Sequence, residues 1–114
     1  MTDPIPASEV EVVDNPIERR YEAWLDGEIA GISQYRLVPE AGRILFLHTE
    51  VDPKFEGRGV GRRLASGALA DVRARGLKVV SECPFISAYL RQHARDYADL
   101  IDDTASPSGA AERR

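Results

Sequence analysis

The chain has 114 residues, 43% of them hydrophobic and 30% charged, which is the size and composition of one globular domain with a single core. Its formal net charge of −4 excludes the strongly basic surface that nucleic-acid binding favours. No apolar run approaches the roughly 18 residues that cross a membrane, and the single cysteine, Cys83, excludes an internal disulfide.

The first half of the chain predicts an antiparallel meander of strands. Residues 10–13 are a short apolar start, interrupted by the sequence DNP at residues 14–16. Residues 19–25 alternate between apolar and polar, and Asp26-Gly27 is a strong signal for a two-residue hairpin turn. Residues 28–38 are then the return strand, and residues 43–51 form a central strand after a turn at 39–42.

The second half predicts a strand–helix–strand crossover followed by a last helix. The long helix carries an apolar stripe and ends at Gly76; the stripe comprises Val60, Leu64, Ala65, Ala68, Leu69 and Val72. Residues 77–82 form a strand parallel to residues 43–51, because such crossovers in one sheet are right-handed. Pro84 begins the last helix, with apolar positions at Ile86, Tyr89, Leu90 and His93.

The predicted fold is α/β, in the order β-β-β-α-β-α, with a mixed and mostly antiparallel sheet that contains one parallel crossover. Residues 1–101 form the domain. The polar residues 102–114 predict a disordered tail. The first residues lack the basic and apolar regions of a signal peptide, so we expect a cytoplasmic protein, and a monomer by default.

Three glycines precede the long helix, at positions 57, 59 and 61. A phosphate-binding P-loop requires Gly-Lys-Ser/Thr, and a dinucleotide fingerprint requires a third glycine at the position of Leu64; the sequence has neither. Free N–H groups at a helix start suit a diphosphate, and nearby arginines could add charge-assisted contacts. A loop that needs glycine only for its backbone conformation would show the same pattern.

A strand ending in HTEV, followed by GRGVGRRL and an amphipathic helix, resembles motif A of the GNAT superfamily of N-acetyltransferases. The resemblance places the two key glycines of the motif at Gly59 and Gly61. The first position of the motif, usually Gln or Arg, is Glu56 in this chain, and a carboxylate there would repel phosphates unless it points away.

The segments FLHTEV, FEGRGVGRRL and CPFISAYLRQH together are similar to the small YjdJ-type subgroup of this superfamily. The resemblance implies a minimal GNAT-like fold with a splayed strand pair that binds acetyl-CoA as a cosubstrate, without a metal. It implies that the backbone near Val51 pairs with the pantetheine amides. It also implies that the pyrophosphate is held by Arg58, Gly59, Val60, Gly61 and Arg62.

Candidate chemistry lies at the ends of the two parallel strands. Cys83 precedes Pro84 and should be the extended N-cap of the last helix, where the helix dipole favours a thiolate. His48 lies near the C-terminal end of the adjacent strand, so the two residues could form an activated nucleophile, although a structural role remains open for each. Relatives use a tyrosine in the last helix to protonate the departing thiolate, which would be Tyr89; core packing is the alternative.

The predicted function is an acetyl-CoA-dependent N-acetyltransferase acting on an unidentified amine, such as a small molecule, a protein lysine or a protein N-terminus. Direct attack by the amine is favoured, because a bound thioester mainly needs positioning; an acyl-enzyme on Cys83 is the alternative route. A non-catalytic acyl-CoA-binding or sensing module is the alternative function, and an interaction domain whose glycines form only a loop is a third. We expect neither nucleic acid nor a membrane as a partner.

Overall fold

A five-stranded sheet, with strands in the order of the chain, forms the frame of the computed structural model, which describes residues 10–101. The strands are β1 (Glu11–Asn15), β2 (Arg20–Leu25), β3 (Glu28–Val38), β4 (Arg43–Val51) and β5 (Lys78–Ser81). The helices are α1 (Val60–Ala74), α2 (Pro84–Gln92) and α3 (Ala94–Tyr97), and 3₁₀ turns span Pro39–Ala41 and Pro53–Phe55. Strands β1 to β4 are antiparallel and β5 is parallel to β4, which confirms the predicted mixed sheet. The tail predicted at residues 102–114 lies outside the described residues.

Strand β1 adds a fifth strand to the four that the sequence predicts. The sequence predicts a break at residues 14–16, but the strand continues to Asn15. The carboxylate of Asp14 accepts hydrogen bonds from the hydroxyl of Tyr35 and from the guanidinium of Arg75. Because its carboxylate has partners inside the fold, Asp14 does not need to turn the chain toward solvent.

Helix α1 covers one face of the sheet, which we call the inner face; the opposite face is the outer face. All six positions of the predicted apolar stripe are buried. Gly31 on β3 allows α1 to pack closely against the sheet. A Cβ at this position would lie 3.3 Å from a methyl of Val60 and 3.5 Å from a methyl of Leu64. The far end of the helix is fixed by the hydroxyl of Tyr21, which donates to Asp71 at 2.6 Å. Burial, and then this bond, raise the pKa of Tyr21 far above its ordinary value.

Helices α2 and α3 lie beside α1. The ring of Phe85 contacts the first turn of α1 at Gly61. At the other end, the guanidinium of Arg73 lies 5.4 Å from the ring centroid of Tyr97 and pairs with Asp99 at 2.6 Å. The two longer helices therefore both begin at the edge of the sheet where β4 and β5 end.

Candidate functional site

Strands β4 and β5 separate at the edge where α1 and α2 begin. They pair as far as Phe46 and Ser81, and the N–H of Glu82 donates to the C=O of Phe46 at 2.8 Å. Strand β4 continues to Val51, so its residues 47–51 have no neighbouring strand on that side among residues 10–101. We call this open edge the strand gap, and it confirms the predicted splayed strand pair.

Thr49 and Val51 present their backbone groups to the strand gap. The N–H of Asp52 donates to the C=O of Ala30 on β3 at 2.8 Å. The hydrogen-bonding direction of the backbone alternates along an antiparallel strand, so the N–H and C=O groups of Glu50 also point toward β3. The N–H and C=O groups of Thr49 and Val51 therefore point away from β3, into the gap.

A β-bulge at Leu47 decides which side chains face each side of this edge. Gln34 pairs with His48, while the next residue of β3, Tyr35, pairs with Phe46. Leu47 is thus an extra residue in β4, and the side chains beyond it exchange faces. As a result, His48 lies on the outer face, opposite to Phe46.

The structure does not bring His48 and Cys83 together as the sequence predicts, because the bulge separates them. The Nε2 atom of His48 lies 2.8 Å from Oε2 of Glu50, and both side chains are exposed on the outer face. The Sγ atom of Cys83 lies 3.2 Å from Oγ1 of Thr49. Thr49 pairs with Ser33, which is buried on the inner face.

Cys83 has the predicted extended backbone at the N-cap of α2, with φ −91° and ψ 121°. Its side chain is buried, with 1% of the residue exposed. A series of hydrogen-bonded side chains leads from the thiol into the core, because Oγ1 of Thr49 also lies 2.9 Å from Oγ of Ser33. The alternation of residues along the strand did not predict that Thr49 contacts Cys83, because this contact depends on the bulge.

The first turn of α1 begins with glycines that have two different roles. Gly59 is the N-cap with φ 78°, and Gly57 has φ 81°, a region that favours glycine. Within residues 10–101, no side-chain cap hydrogen bond is made at the start of α1. Gly61 instead permits close packing, because a Cβ there would lie 2.9 Å from Cζ of Phe85 and 3.5 Å from Cγ2 of Val51.

The arginines of this turn differ in their surroundings. The guanidinium carbon of Arg58 lies 5.6 Å from the ring centroid of Phe55, which is buried. Arg62 is exposed and, among residues 10–101, has no hydrogen bond or ion pair. Val60 is buried, so only its backbone is available to a ligand. Glu56 is exposed and ends the 3₁₀ turn.

A helix cleft of about 300 Å³ lies between α1 and α2, lined by Gly59, Arg62, Arg63, Ser66, Tyr89 and His93. Tyr89 is half-buried and its ring stacks on His93 with centroids 4.2 Å apart. Tyr97 lies beside it; burial, followed by a hydrogen bond with Tyr89, raises the pKa of Tyr97 to about 12. The structure thus places Tyr89 beside the start of α1, with its ring centroid 5.8 Å from that of Tyr97.

Arg63 is a member of the helix cleft that the sequence analysis assigned to no site. Its Nε atom is buried and has no hydrogen-bond partner in the described part of the chain, and its Nη1 atom lies 3.4 Å from Oγ of Ser66. A signal was available in the sequence, since Arg62 and Arg63 are adjacent at the start of a helix.

A second depression, the outer groove, lies on the outer face and has a volume of about 370 Å³. It is lined by Arg20, by residues 29–32 of β3 and by residues 50–53. Glu50 therefore belongs both to this groove and to the pair with His48.

None of the helices within residues 10–101 is long and apolar enough to cross a membrane. In the same part of the chain, no group of three or more His, Cys, Asp or Glu residues could hold a metal ion.

Comparison with known proteins agrees with this fold. The model of the GCN5-related N-acetyl-transferase family matches residues 20–100. The fold is similar to the solution structure of a "GCN5-like putative N-acetyltransferase" from Staphylococcus aureus, with a TM-score of 0.59 and 23% sequence identity over 83% of this chain and 90% of that chain. No curated protein matches this chain. The family match extends from the first residue of β2 to beyond α3, and on this basis the chain belongs to the GCN5-related N-acetyltransferase family.

Proposed function

We propose that the chain is an acetyl-CoA-dependent N-acetyltransferase that transfers an acetyl group to an amine. The observation that carries this proposal is the strand gap of β4, which lies beside the uncapped first turn of α1. An extended arm that contains amides can pair with the free strand edge, and a diphosphate can accept from the free N–H groups of the helix. Membership of the acetyltransferase family supports the same activity.

The residues present fit this cosubstrate. The backbone groups of Val51, together with those of Thr49, would pair with the pantetheine amides. The N–H groups of Gly59, Val60 and Gly61 would donate to the pyrophosphate, and Arg58 and Arg62 would add charge-assisted contacts. When bound, acetyl-CoA supplies an activated acyl group, so the protein mainly needs to position the reactants.

Transfer is direct in this proposal. The acceptor nitrogen forms a bond to the thioester carbonyl carbon, the C–S bond breaks, and coenzyme A leaves as a thiolate. His48, held by Glu50 at 2.8 Å on the outer face, accepts the proton that the amine loses. Tyr89 is the predicted donor of a proton to the thiolate.

The surroundings of Cys83 favour this direct route over an acyl-enzyme. A thiol that attacks a thioester must reach its carbonyl carbon, whereas Cys83 is 1% exposed and has a hydroxyl partner in Thr49. We assign Cys83 a positioning role at the start of α2. A Cys83→Ala variant that retains turnover, with no acyl adduct on the wild-type chain by intact mass, would support this assignment.

Calorimetry with acetyl-CoA tests the binding step. We expect Arg62→Met to weaken binding about tenfold, since a hydrogen bond to a charged group contributes roughly 1.5–3 kcal/mol. Arg36→Met is the matched control, because Arg36 is also exposed but lies on strand β3 instead of helix α1. The absence of binding by the folded wild-type chain at millimolar acetyl-CoA would overturn the proposal.

Thiol release in the presence of amines tests the transfer step. The panel should contain polyamines, amino acids and lysine peptides. Release that depends on both substrates would establish the transferase. Tight binding without release for any amine would instead indicate the non-catalytic acyl-CoA-binding module.

A further inference from the structure

We infer that the acceptor is a lysine side chain of a polypeptide that docks in the outer groove. This inference rests on the proposed function and names the substrate class for the same site. It is carried by the combination of apolar walls, a carboxylate rim and an open position on an exposed sheet face.

The outer groove matches the two chemical parts of a lysine side chain. Ile29, Ile32 and Pro53 provide apolar contacts, which suit the four methylene groups of the lysine stem. Glu50 and Asp52 supply exposed carboxylates, which suit the terminal ammonium. The one cation of the lining, Arg20, does not oppose an ammonium strongly, because its Nε atom pairs with Glu22 at 2.9 Å.

The groove also lies where an acceptor is needed. Glu50 and Val51 line it, and Val51 directs its backbone to the strand gap on the other side of β4. An ammonium bound at Glu50 would lie next to His48, whose Nε2 atom contacts the same carboxylate. Docking would therefore place the amine beside the group that takes its proton.

The openness of the site favours a polypeptide over a small amine. Small-ligand sites usually enclose 70–90% of the ligand surface, whereas this groove is a shallow, open depression. Exposed side chains continue from it along the outer face at Gln34, Arg36 and His48. A peptide that extends beyond the groove can gain contacts on this face, while a free amine cannot.

Peptide titration of the ¹⁵N-labelled full chain tests docking without relying on catalysis. The probe is an N-terminally blocked peptide with one central lysine, and its control is the same peptide with acetyl-lysine. We expect the lysine peptide to shift the amides of Ile32, Glu50 and Asp52 and to bind at least fivefold tighter than the acetyl-lysine peptide. Equal affinities, or shifts that map to another surface, would overturn the inference.

Three carboxylate variants locate the interaction. Glu50→Gln can still accept a hydrogen bond from His48, and Asp52→Asn can still accept from the N–H of Lys54, so both should fold. Each should weaken lysine-peptide binding at least threefold. Glu40→Gln, an exposed carboxylate in the turn Pro39–Ala41, is the matched control and should leave binding unchanged. Equal effects of all three variants would contradict a specific groove.

Turnover distinguishes the failure of this inference from the failure of the proposed function. We expect kcat/KM for the lysine peptide to exceed that for cadaverine, spermidine and free lysine at least tenfold. If acetyl-CoA binds but a free amine is the better acceptor, the inference is wrong and the proposed function stands. If acetyl-CoA does not bind, the proposed function fails, and lysine-dependent peptide shifts would show the groove to be only a binding surface.

Discussion

The ring of Phe85 lies against Gly61, so that its Cζ atom is 2.9 Å from the place where a Cβ on residue 61 would stand. The same Cβ would lie 3.5 Å from Cγ2 of Val51, at the end of β4. Phe85 is 37% exposed, so its ring has room to move. Gly61 therefore sets the position of an aromatic ring between the first turn of α1 and the strand gap.

Gly61→Ala should separate stability from ligand binding. Alanine is a better helix former by up to about 1 kcal/mol, and the clash falls on the mobile end of Phe85, so stability to heat should be equal or higher. The displaced ring should lower acetyl-CoA affinity at least fivefold in calorimetry. Adding Phe85→Ala should restore the affinity; a double variant as weak as Gly61→Ala would contradict this account.

Gly67→Ala should behave in the opposite way. A Cβ on residue 67 would lie 2.7 Å from Cβ of Val12, an atom fixed to the backbone of β1. Because the strand itself must move, we expect a loss of about 1–3 kcal/mol in the free energy of unfolding, measured by denaturant titration. Val12→Ala in the same chain should recover part of it. A Gly67→Ala chain as stable as the wild type would show that β1 shifts freely.

The ionised carboxylate of Glu22 should contribute to the free energy of unfolding, and this contribution should be lost in acid. Burial tends to raise its pKa, but hydrogen bonds from Asn15, Arg20 and Trp24 outweigh this and lower the pKa below its ordinary value. A carboxyl with a lower pKa in the folded state stabilises fully above its unfolded pKa, about 4.3, and this contribution is lost as the pH falls through the folded pKa.

Glu22→Gln should therefore be less stable than the wild type at pH 7, and the difference should narrow as the pH falls below about 5. Denaturant titrations from pH 7 to pH 3 measure this difference. Glu18→Gln, at an exposed position, should show no such trend. A stability difference that stays constant with pH would contradict the assignment.

Substitutions of the two histidines of the chain should affect different steady-state kinetic parameters. His48→Gln removes the proposed base and should lower kcat by about 10²- to 10⁴-fold, with little change in the KM for acetyl-CoA. His93→Gln alters the helix cleft and should raise that KM while leaving kcat within about threefold. Equal kcat values for His48→Gln and the wild type would exclude His48 as the base.

The fold could be predicted from the sequence because its signals are local. Apolar spacing located α1, the hairpin signal at Asp26-Gly27 located the ends of β2 and β3, and the cap residues Gly76 and Pro84 located ends of the two longer helices. The faces of β4 could not be predicted in the same way. Simple alternation places residue 48 on the same face as Phe46, and only the pairing with Gln34 and Tyr35 reveals the extra residue at Leu47.

The roles of the two glycines also divide into one that follows from local sequence and one that depends on a tertiary contact. The sequence predicts a diphosphate contact for both Gly59 and Gly61. In the structure, Gly59 is the N-cap of α1 and has a positive φ, whereas Gly61 accommodates the ring of Phe85 on α2, 24 residues further along the chain. Tertiary contacts of this kind leave no local pattern.

Because β4 and β5 are parallel, α1 and α2 begin at one edge of the sheet, and Gly61 and Phe85 are in contact there. The positive ends of two peptide-dipole arrays therefore converge at this edge. An anion held between them would be stabilised by backbone dipoles, which substitutions of the surrounding side chains leave in place. Under the proposed function, sequence change at the surrounding side chains can then alter the choice of acceptor while the electrostatic field that favours thiolate departure persists.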